Sequence, residues 1–161
     1  MALPLPSMDP CYLCELVAAN SDGWNVIGQD DLTLTILNGR QYEVGQCMVL
    51  PRRHAPTLLD LDDLEASAVM AAARRIMQVM VTEFAPDGVL LYQNNGTGSG
   101  QEVPHFHLHV VPRRPVSDWG FGPPHLATLE AERRPLHLDY AAVTDDKRRT
   151  VDLLRQHFIA T

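Results

Sequence analysis

The chain has 161 residues and a mass of 17.9 kDa, which predicts one domain over residues 1–161 and is too short for two sizeable cores. Thirteen basic and 20 acidic residues give a formal net charge of −7, and this balance argues against nucleic acid and anionic membranes as partners. A local site for a small phosphate ligand remains compatible with that charge.

The N-terminal residues 1–10 have no Lys or Arg and no long apolar stretch, so they do not resemble a secretory signal. No run of residues approaches the ~20 apolar positions that a membrane span needs. Three cysteines are too few for a disulfide framework, so we expect a reduced, cytoplasmic protein.

Short segments of strand character recur along the first two-thirds of the chain. Thr alternates with aliphatic residues in 32–37, which is typical of a strand, and Asn38-Gly39 follows as a turn. The segments predicted as strands are 24–27, 32–37, 46–50, 89–93 and 106–111.

Two segments have helical periodicity instead. In residues 60–84, apolar side chains recur at three- and four-residue spacing, with Asp60, Asp62 and Asp63 placed to cap the N-terminus. A final helix is predicted over residues 145–159. The predicted buried faces are Leu61, Leu64, Ala68, Ala72, Ile76, Val79 and Met80 in the first helix, and Val151, Leu154 and Phe158 in the second.

The order of these elements favours one fold class. Strands precede and follow one long helix without regular alternation, so we predict an α+β fold. It would contain an antiparallel sheet of about five strands, one long helix and a C-terminal helix.

The strongest chemical signal is His105-Phe106-His107-Leu108-His109. Side chains alternate faces along a strand, so a strand here places the apolar residues in the core and the three imidazoles on the opposite face. Three titratable rings in register are typical of a functional site, because their burial is unfavourable without a use.

A glycine-rich loop at residues 94–100, followed by Gln101, lies just upstream of these histidines. Glycine permits positive φ and close backbone approach, so such a loop can present amides to an anion. By itself such a loop is more typical of a hairpin connection, and its position beside the three histidines is what favours an anion site.

Cys11 and Cys14 form a CxxC pair near the N-terminus. On spacing alone this pair is compatible with a zinc site, a redox pair or coincidence.

The segment from Gly100 to Pro112 resembles the signature of the histidine triad family, His-φ-His-φ-His-φ-φ with φ apolar. The similarity extends, in the family's order, from the CxxC pair through Asn38 and Val49-Leu50-Pro51-Arg52-Arg53-His54 to the long helix. It covers residues 11–114 and leaves residues 115–161 as a C-terminal extension.

The resemblance implies a nucleotide-binding hydrolase or transferase. His107 would attack the α-phosphorus of a nucleoside phosphoramidate or dinucleoside polyphosphate, and water would release the monophosphate from the covalent nucleotidyl-histidine. His105 and His109 would share the catalytic site, with His109 bonding phosphate oxygens or the leaving group. Asn38, Asn94, Gly100 and Gln101 fall where the family contacts substrate.

The resemblance also bears on cofactor and assembly. Some bacterial relatives have a structural zinc site to which Cys11, Cys14, His54 and His105 are similar; without metal, His54 and His105 would form a relay behind His107. Family members are usually homodimers. Glu102 stands where the family often has Ser or Thr, and its carboxylate would repel phosphate if it faced inward.

Two other functions remain open. The chain could transfer a nucleotidyl group to an acceptor other than water, or it could bind nucleotides as a sensor without turnover.

Overall fold

The computed structural model describes residues 2–19, 23–39, 41, 43–114 and 144–158. Within these residues, five strands form one antiparallel sheet in the order β1-β2-β3-β5-β4, so β3 is central, β5 lies between β3 and β4, and β1 and β4 are the edges. The strands are β1 (Val26–Gln29), β2 (Thr33–Leu37), β3 (Cys47–Pro51), β4 (Gly88–Tyr92) and β5 (Leu108–Arg113). The predicted α+β class with a five-stranded antiparallel sheet is therefore confirmed.

Three α-helices accompany the sheet in the part of the chain that the structure describes: α1 (Tyr12–Ala18), α2 (Asp63–Phe84) and α3 (Asp145–Phe158). Asp62 caps α2 by accepting a bond from the Glu65 amide, while Glu65 accepts from the Asp62 amide in return. The sequence did not predict α1, because seven residues with a short apolar stripe give a weak periodic signal.

The sheet has a core on each face. On one face α2 and α3 pack against Leu37, Val49 and Val110; on the other, Leu13 and Val17 of α1 pack against the opposite side of β2 and β3. This second face includes Met48, and Met48 is the cross-strand partner of His109. The register therefore places His109 on the sheet face that α1 partly covers.

Strand β5, which was predicted over residues 106–111, begins two residues later than predicted. The strand ladder starts at Leu108, and the Phe106 amide bonds instead to the Ala55 carbonyl at 2.6 Å. Strand β5 continues through Pro112 to Arg113 because β4 pairs with it there, beyond the last pair with β3 at Val110. Phe106, Leu108 and Val110 lie in the core as predicted.

The buried face of α2 is rotated near its start. Ala72, Ile76, Val79 and Met80 are buried as predicted, whereas Leu64 is 67% exposed and Glu65 is buried. Glu65 turns inward because Arg53 donates two bonds to its carboxylate. Salt-bridge and capping chemistry thus overrides the apolar pattern in the first turn.

Helix α3 is fixed to the body of the fold by its predicted stripe of Val151, Leu154 and Phe158. The Arg155 guanidinium also donates two bonds to the Val26 carbonyl of β1. Of the extension predicted at 115–161, residues 115–143 and 159–161 lie outside the described residues. Within the described residues, no helix combines the length and apolar character needed to cross a bilayer.

Candidate active site

The structure brings together two of the three triad histidines. The rings of His107 and His109 lie edge to face with centroids 4.9 Å apart, and both side chains are partly exposed. His105 is fully buried and belongs to a different cluster, with Cys14 and His54. Because His105 and His107 precede the strand ladder, simple alternation does not put all three rings on one face.

The position of the His107 ring hydrogen is fixed by the backbone of His105. Nδ1 of His107 lies 2.8 Å from the carbonyl oxygen of His105, which can only accept, so Nδ1 carries the hydrogen. The neutral ring then has its lone pair on Nε2. This is the arrangement that an imidazole nucleophile requires.

His109 has the opposite arrangement. The side-chain amide nitrogen of Gln46 lies 3.2 Å from Nδ1 of His109 and donates to it, which leaves the ring hydrogen on Nε2. Tyr92, the cross-strand neighbour of His109 on β4, stacks on its ring at 4.3 Å. The sequence analysis missed Gln46 and Tyr92; only the register between strands brings them to this ring.

Burial keeps both rings neutral. It lowers the pKa of His107 below the ordinary imidazole value, although the bond to the His105 carbonyl partly opposes this. Burial, together with the nearby His107, lowers the pKa of His109 well below that value. One ring therefore offers a lone pair and its neighbour a hydrogen-bond donor at neutral pH.

The glycine-rich loop is held mainly by bonds within the protein. The amides of Thr97 and Gly100 donate to the Pro4 and Thr97 carbonyls at 2.9 and 3.0 Å, and Asn94 Nδ2 donates to the Gly100 carbonyl at 3.3 Å. Gly96 and Gly100 both have φ of 81°, which favours glycine.

Gln101 braces this loop. Its Oε1 accepts from the Gly96 amide at 2.7 Å, and its Nε2 donates to the Pro56 and Val103 carbonyls at 2.7 and 2.9 Å. The side chain is only 4% exposed, whereas the neighbouring Glu102 is exposed. The structure thus shows Gln101 as a link between the loop and the segments that precede α2 and β5.

Asn38 lies at the end of β2, where its amide donates to the Gln46 carbonyl at 2.9 Å. The residue is 6% exposed, and the next carbonyl, of Gly39, accepts a bond from Lys147 of α3 at 3.1 Å. Asn38 is therefore adjacent to the residue that contacts His109.

The second cluster contains all four residues predicted as metal ligands. Cys11 and Cys14 lie at the start of α1, His54 follows β3, and His105 precedes β5. One ligand atom from each lies within 4.8 Å of all the others; Cys14 Sγ is 3.1 Å from His54 Nδ1 and 3.4 Å from His105 Nδ1.

The 3.4 Å distance lies in the range expected of a tetrahedral zinc site, and the 3.1 Å distance is slightly shorter. Bonds of about 2.3 Å to sulfur and 2.05 Å to nitrogen imply ligand-to-ligand separations of about 3.4 to 3.8 Å. The Nε2 of His105 lies 2.9 Å from the Pro51 carbonyl and donates to it, so its Nδ1 faces Cys14 with a lone pair. Four residues of suitable chemistry could therefore hold a metal ion.

Without a metal, Cys14 and His105 would be neutral at neutral pH, because the pKa of each is shifted. Burial is the main cause that raises the pKa of Cys14 to about 11, with its bond to Cys11 contributing. Burial also lowers the pKa of His105 to about 4. The His105 carbonyl accepts the bond from His107, so the cluster that could hold a metal ion is linked to His107 through one residue.

Comparisons with known proteins agree with this geometry. The model of the HIT domain family matches residues 22–116. An uncharacterized HIT-like protein of Borreliella burgdorferi is 30% identical over 128 residues, which cover 78% of this chain and 91% of that protein. The crystal structure of a Zn-bound histidine triad family protein from Mycobacterium smegmatis has a TM-score of 0.72 and 25% identity, covering 94% of this chain and 95% of that one.

Two further relatives have names that state an activity. An AP-4-A phosphorylase of Mycobacterium tuberculosis is 35% identical over 96 residues, covering 59% of this chain and 47% of that protein. An asymmetrical bis(5'-nucleosyl)-tetraphosphatase of Schizosaccharomyces pombe is 27% identical over 126 residues, covering 78% of this chain and 68% of that protein. Nucleotide hydrolases and phosphorylases thus occur among the similar proteins.

Proposed function

This chain belongs to the HIT domain family, and on that premise we propose that it is a nucleotide hydrolase acting through His107. Its substrates are nucleoside phosphoramidates or dinucleoside polyphosphates, cleaved at the α-phosphorus. One observation supports this above all: adjacent imidazoles in which His107 has a lone pair on Nε2 and His109 a hydrogen on Nε2.

The reaction takes two steps. His107 Nε2 attacks the α-phosphorus, a P–N bond forms, and the bond to the leaving group breaks with its electron pair leaving on that group. The hydrogen stays on Nδ1 of His107 and remains donated to the His105 carbonyl, which stabilises the positive charge on the nucleotidyl-imidazole. Water then attacks phosphorus, the P–N pair returns to His107, and a proton passes to solvent as the monophosphate leaves.

The other proposed site residues support this chemistry. His109 Nε2 donates to a phosphate oxygen, and His105 acts through His107 as a positioning residue. Asn38 contacts the ribose or base. Asn94 and Gly100 belong to the glycine-rich loop, which with Gln101 contacts the phosphates. The hydrogen bonds of Gln101 hold the backbone of this loop in place.

The proposal is tested by incubating wild type and His107→Ala with adenosine phosphoramidate and with diadenosine tetraphosphate. Wild type should release AMP from at least one of them, and the variant should lose at least about 1,000-fold in rate, since the covalent route needs the nucleophile. Mass spectrometry soon after mixing should detect the covalent nucleotidyl-histidine in wild type and not in His107→Ala. A wild type that hydrolyses neither substrate would leave the nucleotide-sensor function.

A second arm addresses the transferase alternative, which the phosphorylase among the relatives favours. The same incubations are repeated with inorganic phosphate or a sugar phosphate present. Turnover that strictly requires such an acceptor would replace hydrolysis by nucleotidyl transfer.

We also propose that Cys11, Cys14, His54 and His105 bind structural zinc. When bound, zinc would cross-link α1 to the segments beside β3 and β5 and would have no open coordination position. One equivalent should copurify with wild type, and Cys14→Ser should lose it and melt at lower temperature. The buried Cys47→Ser is the matched control, and it should retain the metal. Metal-free wild type with an unchanged melting temperature would contradict this assignment.

The family resemblance supports a homodimer as part of the proposal, the sparse cysteines support a cytoplasmic location, and the chain length supports a single domain over residues 1–161. Strand β4 is an edge strand, and α2 exposes Met70 and Val81, which a second copy could cover. Sedimentation at micromolar concentration would decide the assembly, and a monomer there would remove the homodimer.

A further inference from the structure

Gln46 is the residue that determines what His109 can do. Its side chain is completely buried, and its amide nitrogen lies 3.2 Å from His109 Nδ1 and 3.5 Å from the Tyr92 hydroxyl. The sheet dictates this contact: Met48 is opposite His109, and Gln46 lies two residues before Met48, so its side chain shares that face. The Gln46 backbone separately bonds to Glu43 and Asn38.

The single ring hydrogen of His109 limits what this side chain can do for a leaving group. A neutral imidazole has one N–H, and in His109 it is on Nε2 because Nδ1 accepts from Gln46. If His109 gave up that hydrogen it would become an imidazolate, which is far too basic to form at neutral pH. His109 can therefore donate a hydrogen bond to the substrate without transferring a proton.

His107 supplies no proton either. Its one hydrogen is on Nδ1 and is directed at the His105 carbonyl. An amine leaving group must take up a proton as the P–N bond of a phosphoramidate breaks. A phosphate leaving group departs as an anion and needs none.

From this arrangement, and resting on the proposed function, we propose that Gln46 is a positioning residue that makes the site selective for leaving groups that depart as anions. The favoured substrates are phosphoanhydrides, such as dinucleoside polyphosphates, over phosphoramidates. In the favoured step, the P–N bond to His107 forms and the P–O bond breaks. The electron pair stays on the departing phosphate, and His109 Nε2 stabilises charge on oxygen by its hydrogen bond.

The first test is the wild-type leaving-group dependence. Aryl esters of AMP, graded by the pKa of the departing phenol, report it within one reaction type. We expect the rate to fall at least about 100-fold from the most to the least acidic phenol, since general acid catalysis is worth about 100-fold or more where it operates. A flat series would overturn the proposal.

The second test reverses the hydrogen bond. In Gln46→Glu, a carboxylate of nearly the same shape accepts a hydrogen from Nδ1 and stabilises the imidazolium, whose Nε2 proton can be transferred. The ratio of phosphoramidate to dinucleoside polyphosphate hydrolysis should rise at least about tenfold, and the aryl-ester series should flatten. Gln78→Glu, on the exposed side of α2, is the matched control and should leave both unchanged. An unchanged ratio in Gln46→Glu would refute the role of Gln46.

A third measurement needs no variant. Nitrogen-15 NMR of wild type should show His109 with hydrogen on Nε2 and His107 with hydrogen on Nδ1; hydrogen on Nδ1 of His109 would refute the proposal even if Gln46→Glu fails to fold. Failure of the proposed function has a different signature, namely no AMP from any substrate. Wild type that prefers the phosphoramidate would leave the hydrolase intact and remove only this inference.

Discussion

Replacing Gln101 by alanine should destabilise the protein by removing the brace of the glycine-rich loop. The Gln101 side chain makes three hydrogen bonds: from the Gly96 amide, and to the Pro56 and Val103 carbonyls. Alanine removes all three bonds, so the Gly96 amide and the two carbonyls lose a hydrogen-bond partner in a region where Gln101 itself is only 4% exposed.

The structure sets the expected size of the effect. A hydrogen bond of this kind contributes about 1 kcal/mol net, so three bonds amount to about 3 kcal/mol. This corresponds to a loss of roughly 150-fold in the folding equilibrium constant, because each 1.4 kcal/mol is a factor of ten. Water that enters and bonds the stranded Gly96 amide would reduce the loss toward about 2 kcal/mol.

Urea denaturation of wild type and Gln101→Ala, followed by circular dichroism, measures the difference in unfolding free energy. Gln78→Ala is the control for the same change of side chain, because Gln78 lies on the exposed side of α2, and it should stay within about 0.5 kcal/mol of wild type. Hydrogen exchange at the Gly96 amide should accelerate in Gln101→Ala and remain unchanged in the control.

A loss below about 1 kcal/mol in Gln101→Ala, with the Gly96 amide still protected, would refute the bracing role. A stable variant with a strongly raised KM would instead indicate that Gln101 contacts substrate directly. The two readouts therefore separate the bond network from the phosphate contact that the family resemblance implies.

Three other predictions concern the scaffold. A Cβ at Gly28 would lie 2.2 Å from Cδ1 of Phe158, so Gly28→Ala should lower the unfolding free energy measured in urea by about 1 to 3 kcal/mol. The same substitution in a Phe158→Ala background should lower it by almost nothing, because the clashing ring is gone. An equal loss in both backgrounds would contradict this packing of α3 on β1. Asp62→Ala removes the capping box of α2 and should cost about 1 kcal/mol of unfolding free energy, whereas the exposed Asp87→Ala should cost much less; equal losses would argue against the cap. The bonds from Arg53 lower the pKa of Glu65, so the contribution of the ionised Glu65 to stability is present at neutral pH and is lost as the pH falls below about 4.3. Glu65→Gln should therefore flatten the dependence of unfolding free energy on pH in that range. An unchanged slope would contradict the ion pair.

Much of the fold follows from local sequence patterns. Alternation in residues 32–37 and the three- and four-residue spacing before Phe84 correspond to β2 and α2. Every residue of β2 is buried, so the alternation there separates the Thr face from the aliphatic face rather than solvent from core, whereas helix α2 buries one face and so shows the helical period. The first turn of α2 departs from this pattern because the capping box and Arg53 bring Glu65 inward and leave Leu64 exposed. Helix α1 is too short to show a clear period.

The candidate site, like the fold, was predictable from the sequence in part only. The sequence alone determined which residue types were available: three closely spaced histidines, a glycine-rich loop and a CxxC pair with His54. Tertiary structure decided their partners. It separated His105 from His107 and His109, and it placed Gln46 and Tyr92 against His109.

The physical reason is the range of the interactions involved. Helical and strand periods, caps and turns depend on neighbours a few positions away, so the chain specifies them locally. The hydrogen on Nε2 of His109 depends on Gln46, which is 63 positions away, and that contact exists only because β3 pairs with β5 in one register. A one-residue slip of that pairing would turn the Gln46 side chain to the other face of the sheet, with no change in the sequence motif itself.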